Sequence, residues 1–163
     1  MIIQWVELQN SVEKSYQIHT AAGNLVVFQI DNVITKTEWA IDESTKVYRV
    51  DDSLSKQIQD YLKNPKSTFT VRLKKQGSDF RNKVWIEICK IPAGQVLSYS
   101  EISTIIGSGA RAVANACRDN PFPGIIPCHR VVSVSGLGGY MGKTSGKPFE
   151  IKKKLLAMEA ELF

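Results

Sequence analysis

The chain has 163 residues, of which 43% are hydrophobic and 23% charged, a composition typical of a globular protein with one domain or two small ones. No apolar run approaches the roughly 18 residues of a membrane span, and the N-terminus lacks the pattern of a secretory signal. We therefore expect no membrane association and a cytoplasmic protein, or a nuclear one in a cell with a nucleus.

The net charge of +5 is unevenly distributed along the chain. Residues 1–77 carry 10 Lys and Arg against 9 acids, whereas residues 78–163 carry 11 against 7. This excess is a modest electrostatic footprint for a polyanion, and by itself it favours a solvated basic surface.

The first 75 residues predict a small α+β domain. Segments rich in β-branched and aromatic residues, separated by turn residues such as Asn10-Ser11, predict strands joined by hairpin turns over 2–8, 16–20, 25–30 and 33–41. Apolar residues at helical spacing predict a helix over 53–63, which Asn64-Pro65 ends, and a further strand follows over 68–73. Nothing in this part suggests chemistry.

A polar stretch over 74–78 predicts a boundary between a domain of residues 1–75 and one of residues 78–163. Ser78 or Asp79 can cap a helix whose apolar face ends before Pro92. Trp85 and Cys89 lie on that helix, and we expect both to be part of the core.

Two short helices follow, joined by Gly107-Ser108-Gly109. Ser98 and Glu101 form a capping box, which starts a helix that runs to about Ile106, and a second helix covers 110–118. This pattern matches a helix-turn-helix. The second helix is rich in alanine, which suits close approach to a nucleic-acid backbone, as in a minor groove, better than base reading in the major groove.

Residues 120–132 place a cysteine beside a histidine in a run bracketed by proline and glycine, Asn-Pro-Phe-Pro-Gly-Ile-Ile-Pro-Cys-His-Arg-Val-Val. Such a backbone path tends to position chemistry. A thiol with a pKa of about 8.5 needs a base or a positive field to become a nucleophile, and His129 and Arg130 could supply both. Because neighbours in an extended segment point to opposite faces, His129 would act on Cys128 through a water or a backbone turn.

The other cysteines and the glycine-rich segment give no further site. The three cysteines, Cys89, Cys117 and Cys128, lack the spacing of a disulfide framework, which fits a reducing compartment. With two histidines and no Cys-x-x-Cys pair, we expect no metal. The loop over 135–142 lacks a nucleotide-binding pattern, so we expect no phosphate cradle there. A final amphipathic helix is predicted over 149–163.

The run Pro127-Cys128-His129-Arg130-Val131-Val132, preceded by Asn120-Pro121, closely resembles the acceptor-cysteine signature of the O6-alkylguanine-DNA alkyltransferases, which repair DNA by direct reversal. The resemblance extends from about residue 80 to residue 159. It implies a ribonuclease-H-like N-terminal domain and a mainly helical, winged-helix-like C-terminal domain with an acceptor-cysteine loop. The implied reaction is one irreversible transfer of a methyl or other alkyl group from O6-alkylguanine to Cys128, by a monomer without a cofactor; O4-alkylthymine stays open as a substrate.

The resemblance also implies roles for individual residues. Glu159 would orient His129, which through a water would deprotonate Cys128. Tyr99 would rotate the phosphate of the flipped-out nucleotide and donate a proton to the departing guanine, and Asn120 would tie the second helix to the cysteine loop.

DNA would bind through its minor groove, with Arg111 entering the stack where the damaged base was. Further DNA contacts are implied for Ala110, Ala112, Ala114, Asn115 and Arg118, and walls of the base pocket for Pro127, Val131, Gly139 and Tyr140. The segment 143–148 is longer than in many relatives, which leaves open how the pocket closes.

Two other functions are compatible with parts of the pattern. A DNA-binding protein without transfer chemistry would resemble the alkyltransferase-like proteins, but these replace the acceptor cysteine, which is present here as Cys128. A Cys-His thiol hydrolase would need an oxyanion hole and a histidine placed against the sulfur, and thiol ester turnover without DNA would favour it.

Overall fold

The described N-terminal residues form a mixed five-stranded sheet and one helix. The computed structural model describes residues 1–8, 12–42 and 52–162. The sheet has the order β1-β5-β4-β3-β2. Its elements are β1 (Ile2–Val6), β2 (Lys14–Thr20), β3 (Gly23–Ile30), β4 (Val33–Trp39), α1 (Ser53–Lys63) and β5 (Thr70–Lys74).

Strands β2, β3 and β4 form an antiparallel meander, whereas β1 pairs in parallel with β5. The predicted hairpin between the first two strands is therefore wrong: β1 and β2 lie at opposite edges of the sheet. Parallel pairing with β5 needs a long crossover, which the intervening strands and α1 provide. The turn predicted at Asn10-Ser11 lies outside the described residues.

The C-terminal part is mainly helical, and the predicted α+β fold is confirmed. Its elements are α2 (Asp79–Ile88), β6 (Leu97–Ser98), α3 (Tyr99–Ile106), α4 (Ala110–Arg118), a 3-10 turn (Cys128–Arg130), β7 (Val131–Val132) and α5 (Gly146–Glu161). Short strands β6 and β7 pair in parallel. Helix α5 starts earlier than predicted, so part of the 143–148 segment is its first turn. None of the helices in the described ranges has the length and apolarity to cross a membrane.

Local chemistry explains where the helices begin and end. Ser78 caps α2 by accepting from the Arg81 N–H. Ser98 and Glu101 form the predicted reciprocal capping box at α3. Gly107 ends α3 with a left-handed φ of 69°, a conformation that glycine adopts without steric penalty.

One hydrophobic cluster runs through both parts of the chain. Trp5 of β1 packs against Trp85 of α2 and Phe122, with ring centroids 6.4 Å apart in each pair. In the segment between β5 and α2, Gly77 has a φ of 81° and lies against the Trp85 ring, where an added Cβ would come within 2.7 Å of a ring carbon. The division into domains 1–75 and 78–163 stays a prediction.

Strand β4 holds the loop that leads to Cys128. The Thr37 N–H donates to the Pro121 carbonyl at 3.0 Å, and the Thr37 hydroxyl donates to the Pro123 carbonyl at 2.7 Å. Thr37 is buried, so these bonds form away from competing water. The sheet thereby fixes the loop that delivers the cysteine.

Gly77→Ala should destabilise the protein by about 3 kcal/mol, because it adds a steric clash with Trp85 to the strain of a left-handed residue. Gly107→Ala is the matched control, with similar φ and no atom within 4 Å of the added Cβ, and it should cost about 1 kcal/mol. Equilibrium urea unfolding of both variants measures the difference. Equal losses of unfolding free energy would show that Trp85 does not confine this segment.

Candidate active site

Cys128 and His129 lie in a tight 3-10 turn rather than in an extended segment. The Cys128 N–H donates to the Ile126 carbonyl at 2.8 Å, and the Arg130 N–H donates to the Pro127 carbonyl at 3.0 Å. The expectation of extended backbone is therefore wrong, and the alternative of a backbone turn is what the structure contains. The three consecutive side chains of the turn, Cys128, His129 and Arg130, are all buried.

Cys128 is 4% exposed, and its thiol contacts the side chain of Asn120. Asn120 Nδ2 lies 3.1 Å from Cys128 Sγ and donates also to the Ile126 carbonyl at 3.1 Å, while its Oδ1 accepts from the Phe122 N–H at 2.8 Å. Asn120 thus joins the end of α4 to the cysteine turn. Burial raises the pKa of the Cys128 thiol, while the Asn120 hydrogen bond and the charge of Lys152 act in the opposite direction.

Glu159 of α5 binds both residues that follow the cysteine. His129 Nε2 lies 2.8 Å from Glu159 Oε1, and Arg130 donates to the same carboxylate through Nε at 2.9 Å and Nη2 at 2.7 Å. All three side chains are at least 94% buried. Although burial pushes the pKa of Glu159 upward, the hydrogen bonds from His129 and Arg130 hold it at about 2, so the carboxylate is ionised at neutral pH.

The ionised carboxylate determines the tautomer of His129. A carboxylate only accepts hydrogen bonds, so Nε2 carries the ring hydrogen. Burial lowers the pKa of His129, and the hydrogen bond to Glu159 only partly opposes this effect, so the ring is neutral at pH 7. Nδ1 is then unprotonated, and it has no hydrogen-bond partner among the described residues.

Lys152 belongs to the site, although no pattern in the sequence led us to expect it there. Its side chain is fully buried, and Nζ donates to the Val131 carbonyl at 2.7 Å and to the Gly139 carbonyl at 2.9 Å. Burial lowers the pKa of Lys152 to about 8, while the neighbouring thiols of Cys128 and Cys117 act against this fall. At neutral pH Lys152 therefore places a positive charge near Cys128. The sequence holds one indication that Lys152 is buried: its spacing puts it on the same face of α5 as Leu155 and Glu159.

A cavity of about 260 Å³ opens onto Cys128. Three regions line the cavity: α3, α4 and the loop after β7. Helix α3 contributes Tyr99, and α4 contributes Ala114, Asn115, Cys117 and Arg118. The loop contributes Gly139, Tyr140, Met141, Gly142 and Thr144. Of the predicted pocket walls, Gly139 and Tyr140 line this cavity. Pro127 and Val131 do not line it: Pro127 begins the cysteine turn, and the Val131 carbonyl binds Lys152.

Cys117 lines the same cavity as Cys128, which the sequence pattern did not reveal. A second cavity, of about 390 Å³, reaches His129 and Glu159 between α1 and α5 but does not include Cys128. The smaller cavity is therefore the one in which a ligand could meet the thiol. No group of residues suited to holding a metal occurs in the described parts of the chain.

The predicted DNA contacts fall on one helix. Arg111, Asn115 and Arg118 recur at helical spacing on α4 and are exposed, while the alanines at 110, 112 and 114 are half-buried. Asn115 and Arg118 reach the rim of the cavity, and Arg111 lies at the opposite end of the helix. The Tyr99 hydroxyl lies 3.5 Å from the Gly139 carbonyl, and burial raises the pKa of the Tyr99 phenol, so it stays protonated at neutral pH.

Comparison with known proteins identifies relatives along most of the chain. Residues 79–161 match the family model described as 6-O-methylguanine DNA methyltransferase, DNA binding domain. A probable methylated-DNA--protein-cysteine methyltransferase of Acanthamoeba polyphaga mimivirus is 39% identical over 73% of this chain and 76% of its own length. The crystal structure of Mycobacterium tuberculosis O6-methylguanine methyltransferase matches at a TM-score of 0.75 and 30% identity over 92% of this chain and 94% of its own.

A structure of Mycobacterium tuberculosis OGT in complex with DNA matches at a TM-score of 0.72 and 30% identity, covering 90% of this chain and 93% of that one. The family model spans just over half of the chain, and the viral relative matches about three quarters of it. The chain therefore belongs to the O6-methylguanine-DNA methyltransferases, also called methylated-DNA--protein-cysteine methyltransferases.

Proposed function

We propose that this protein repairs DNA by transferring the alkyl group of O6-alkylguanine to the sulfur of Cys128, once per molecule. The observation that carries the proposal is Cys128 itself: a thiol that contacts Asn120, lies next to a histidine bound to a carboxylate, and faces a cavity. Membership of the methyltransferase family supports the substrate class and DNA as the partner. No cofactor enters the reaction, because the cysteine is the acceptor.

Cys128 and His129 start as a neutral pair. Burial raises the pKa of the thiol and lowers that of the imidazole, so a resting thiolate-imidazolium pair is disfavoured. Instead, the thiol proton passes through a water to His129 Nδ1 as the sulfur attacks the alkyl carbon. Glu159 stabilises the imidazolium that forms, and the Asn120 amide and Lys152 ammonium stabilise negative charge on the sulfur.

The attack forms a carbon–sulfur bond and breaks the bond from the same carbon to guanine O6, whose electron pair returns to the base. Tyr99, which lines the cavity and remains protonated, donates a proton to the departing guanine, and the proton that His129 took from the thiol returns through water to the phenolate, so both side chains end neutral. The product is a thioether, which water does not displace. Each protein molecule therefore acts once.

The damaged base must leave the helix to react. Cys128 lies inside a cavity and is 4% exposed, so a base that stays stacked in a duplex cannot bring its alkyl carbon to the sulfur. The half-buried alanines of α4 suit close approach to a minor groove, and Arg111, exposed near the start of α4, would enter the stack. Binding as a monomer through the minor groove is part of this proposal.

A protein that only binds lesions would need no nucleophile in its cavity, whereas here Cys128 opens onto the cavity, with the Asn120 amide on its sulfur, the charge of Lys152 nearby and His129 next to it in the turn. A hydrolase would need backbone or side-chain donors that stabilise an oxyanion, but here Asn120 Nδ2 is directed to the sulfur. The geometry therefore supports alkyl transfer to sulfur better than acyl transfer.

With O6-methylguanine DNA in large excess, intact mass should increase by one methyl group per protein molecule and then stop. Peptide mapping should place the methyl on Cys128, and Cys128→Ser should bind the same DNA without gaining mass, because a serine hydroxyl is a weaker nucleophile. Cys117 is the internal control: it lines the cavity, but burial raises its pKa strongly. Repeated turnover, or methyl on Cys117, would refute the single-acceptor reaction.

Arg111→Ala should slow repair of duplex DNA at least tenfold while leaving the reaction with free O6-benzylguanine nearly unchanged, because a free base needs no extrusion. Arg72→Ala is a suitable control, since Arg72 is an exposed arginine on β5 that binds Asn32 in the N-terminal sheet. Single-turnover kinetics on both substrates give the comparison. Equal slowing on the two substrates would contradict a role for Arg111 in flipping.

Lys152→Met should raise the apparent pKa of Cys128 and slow alkyl transfer at pH 7 by roughly tenfold, because a nearby positive charge favours the thiolate and its removal disfavours it. Lys153→Met is the matched control, since Lys153 is exposed and pairs with Glu150. The pH dependence of iodoacetamide labelling at Cys128 measures the pKa, with thermal unfolding as a check on folding. An unchanged pKa in the Lys152 variant would exclude this electrostatic role.

A further inference from the structure

A hydrogen bond joins the N-terminal sheet to the cavity wall. Trp39, the last residue of β4, donates from its indole Nε1 to the Tyr140 hydroxyl oxygen at 2.8 Å. The two residues are 101 positions apart in sequence, and both are almost fully buried, with 3% and 2% of their surfaces exposed. Because an unmade hydrogen bond at such a site is costly, this contact fixes the position of the phenol.

The direction of this bond leaves Tyr140 with a proton to donate. An indole nitrogen is a donor only, so the phenol oxygen accepts from Trp39 and keeps its own hydrogen for another partner. In the described residues, the bond from Trp39 is the only hydrogen bond found for this hydroxyl. Tyr140 lines the same cavity as Cys128. Burial, followed by the nearby Cys128, raises the pKa of the Tyr140 phenol, so it keeps its proton.

Trp39 is itself held in place by the cysteine loop. An added Cβ at Gly124 would lie 3.2 Å from a carbon of the Trp39 ring, so the ring packs closely against that glycine. Two residues earlier on β4, Thr37 binds the carbonyls of Pro121 and Pro123. The same strand therefore contacts both the loop that delivers Cys128 and the wall that faces it.

We propose that Trp39 is a positioning residue for alkyl transfer: it holds the Tyr140 phenol with its hydroxyl hydrogen free at the cavity that it shares with Cys128, where this hydrogen stabilises the developing thiolate. This inference rests on the proposed function, since it assigns a further donor to the same sulfur. The N-terminal sheet would then contribute to the chemistry as well as to stability. Asn120 and Tyr140 would donate to the sulfur from different elements of the structure.

Trp39→Phe replaces none of the other titratable groups near Cys128. They are His129 beside it in the turn, Cys89 at the end of α2, Cys117 on α4, Tyr99 on α3 and Lys152 on α5. Trp39→Phe keeps an aromatic ring and removes the N–H donor, and Tyr140→Phe removes the hydroxyl. Trp5→Phe is the matched control, because Trp5 also lies in the N-terminal sheet but packs against Trp85 and Phe122.

The experiment measures the pH dependence of iodoacetamide labelling at Cys128, mapped by mass spectrometry, in the wild type, the three single variants and the Trp39→Phe/Tyr140→Phe double variant. Trp39→Phe and Tyr140→Phe should each raise the apparent thiol pKa and slow labelling at pH 7 by about threefold to tenfold, the effect of one hydrogen bond. The double variant should be no slower than Tyr140→Phe alone, and Trp5→Phe should match the wild type.

Two results would overturn the inference. In the first, Trp39→Phe behaves like Trp5→Phe; in the second, Trp39→Phe still slows labelling when Tyr140 is already phenylalanine, which would mean that Trp39 acts through packing. If Trp39→Phe does not fold, as judged by thermal unfolding, Tyr140→Phe tests the same proton, and an unchanged Cys128 pKa overturns the proposal. Methyl uptake by the wild type from O6-methylguanine DNA is measured separately, and only its failure would count against the proposed function.

Discussion

The buried carboxylate of Glu159 is the constraint on which the site depends. One side chain near the end of α5 binds His129 and Arg130, the two residues that follow the acceptor cysteine, and all three are removed from water. Removing one partner from such a cluster leaves a buried charge unpaired, which is far more costly than losing a surface ion pair. The position of the cysteine turn is therefore coupled to the docking of α5.

The same arrangement explains how a reactive cysteine is kept from reacting indiscriminately. Burial favours the neutral thiol and the neutral imidazole, so the resting protein holds little thiolate. The groups that stabilise charge are already in place: the Asn120 amide, the Lys152 ammonium and the Glu159 carboxylate. They become effective when an alkyl group sits in the cavity and charge develops in the transition state, which is electrostatic preorganisation. A single-use protein gains from this, since every unproductive reaction of Cys128 consumes a molecule.

Local signals in the sequence predicted much of the fold. The capping box at Ser98, the cap at Ser78 and the strands of the β2–β4 meander follow from side-chain chemistry within a few residues. The parallel pairing of β1 with β5 was not predicted, because pairing over about 70 residues leaves no local signature.

The site was harder to predict. We expected an extended backbone at Cys128 instead of the 3-10 turn, because Pro127 is compatible with both conformations. Lys152 stands in a run of three lysines that is typical of a solvated face, and only the tertiary placement of α5 buries it. Trp39 and Tyr140 are brought together by packing between distant segments, which no local pattern records.

Glu159 holds His129 as the neutral tautomer with its hydrogen on Nε2, which leaves Nδ1 available for the cysteine proton. Nitrogen-15 NMR of the histidine side chains measures this directly, and the assignment is simple because the chain has only two histidines, with His19→Gln identifying the other. We expect His129 at pH 7 to show a protonated Nε2 and an unprotonated Nδ1 in the wild type, and we expect Glu159→Gln to weaken this preference. A hydrogen on Nδ1, or an imidazolium at pH 7, would contradict it.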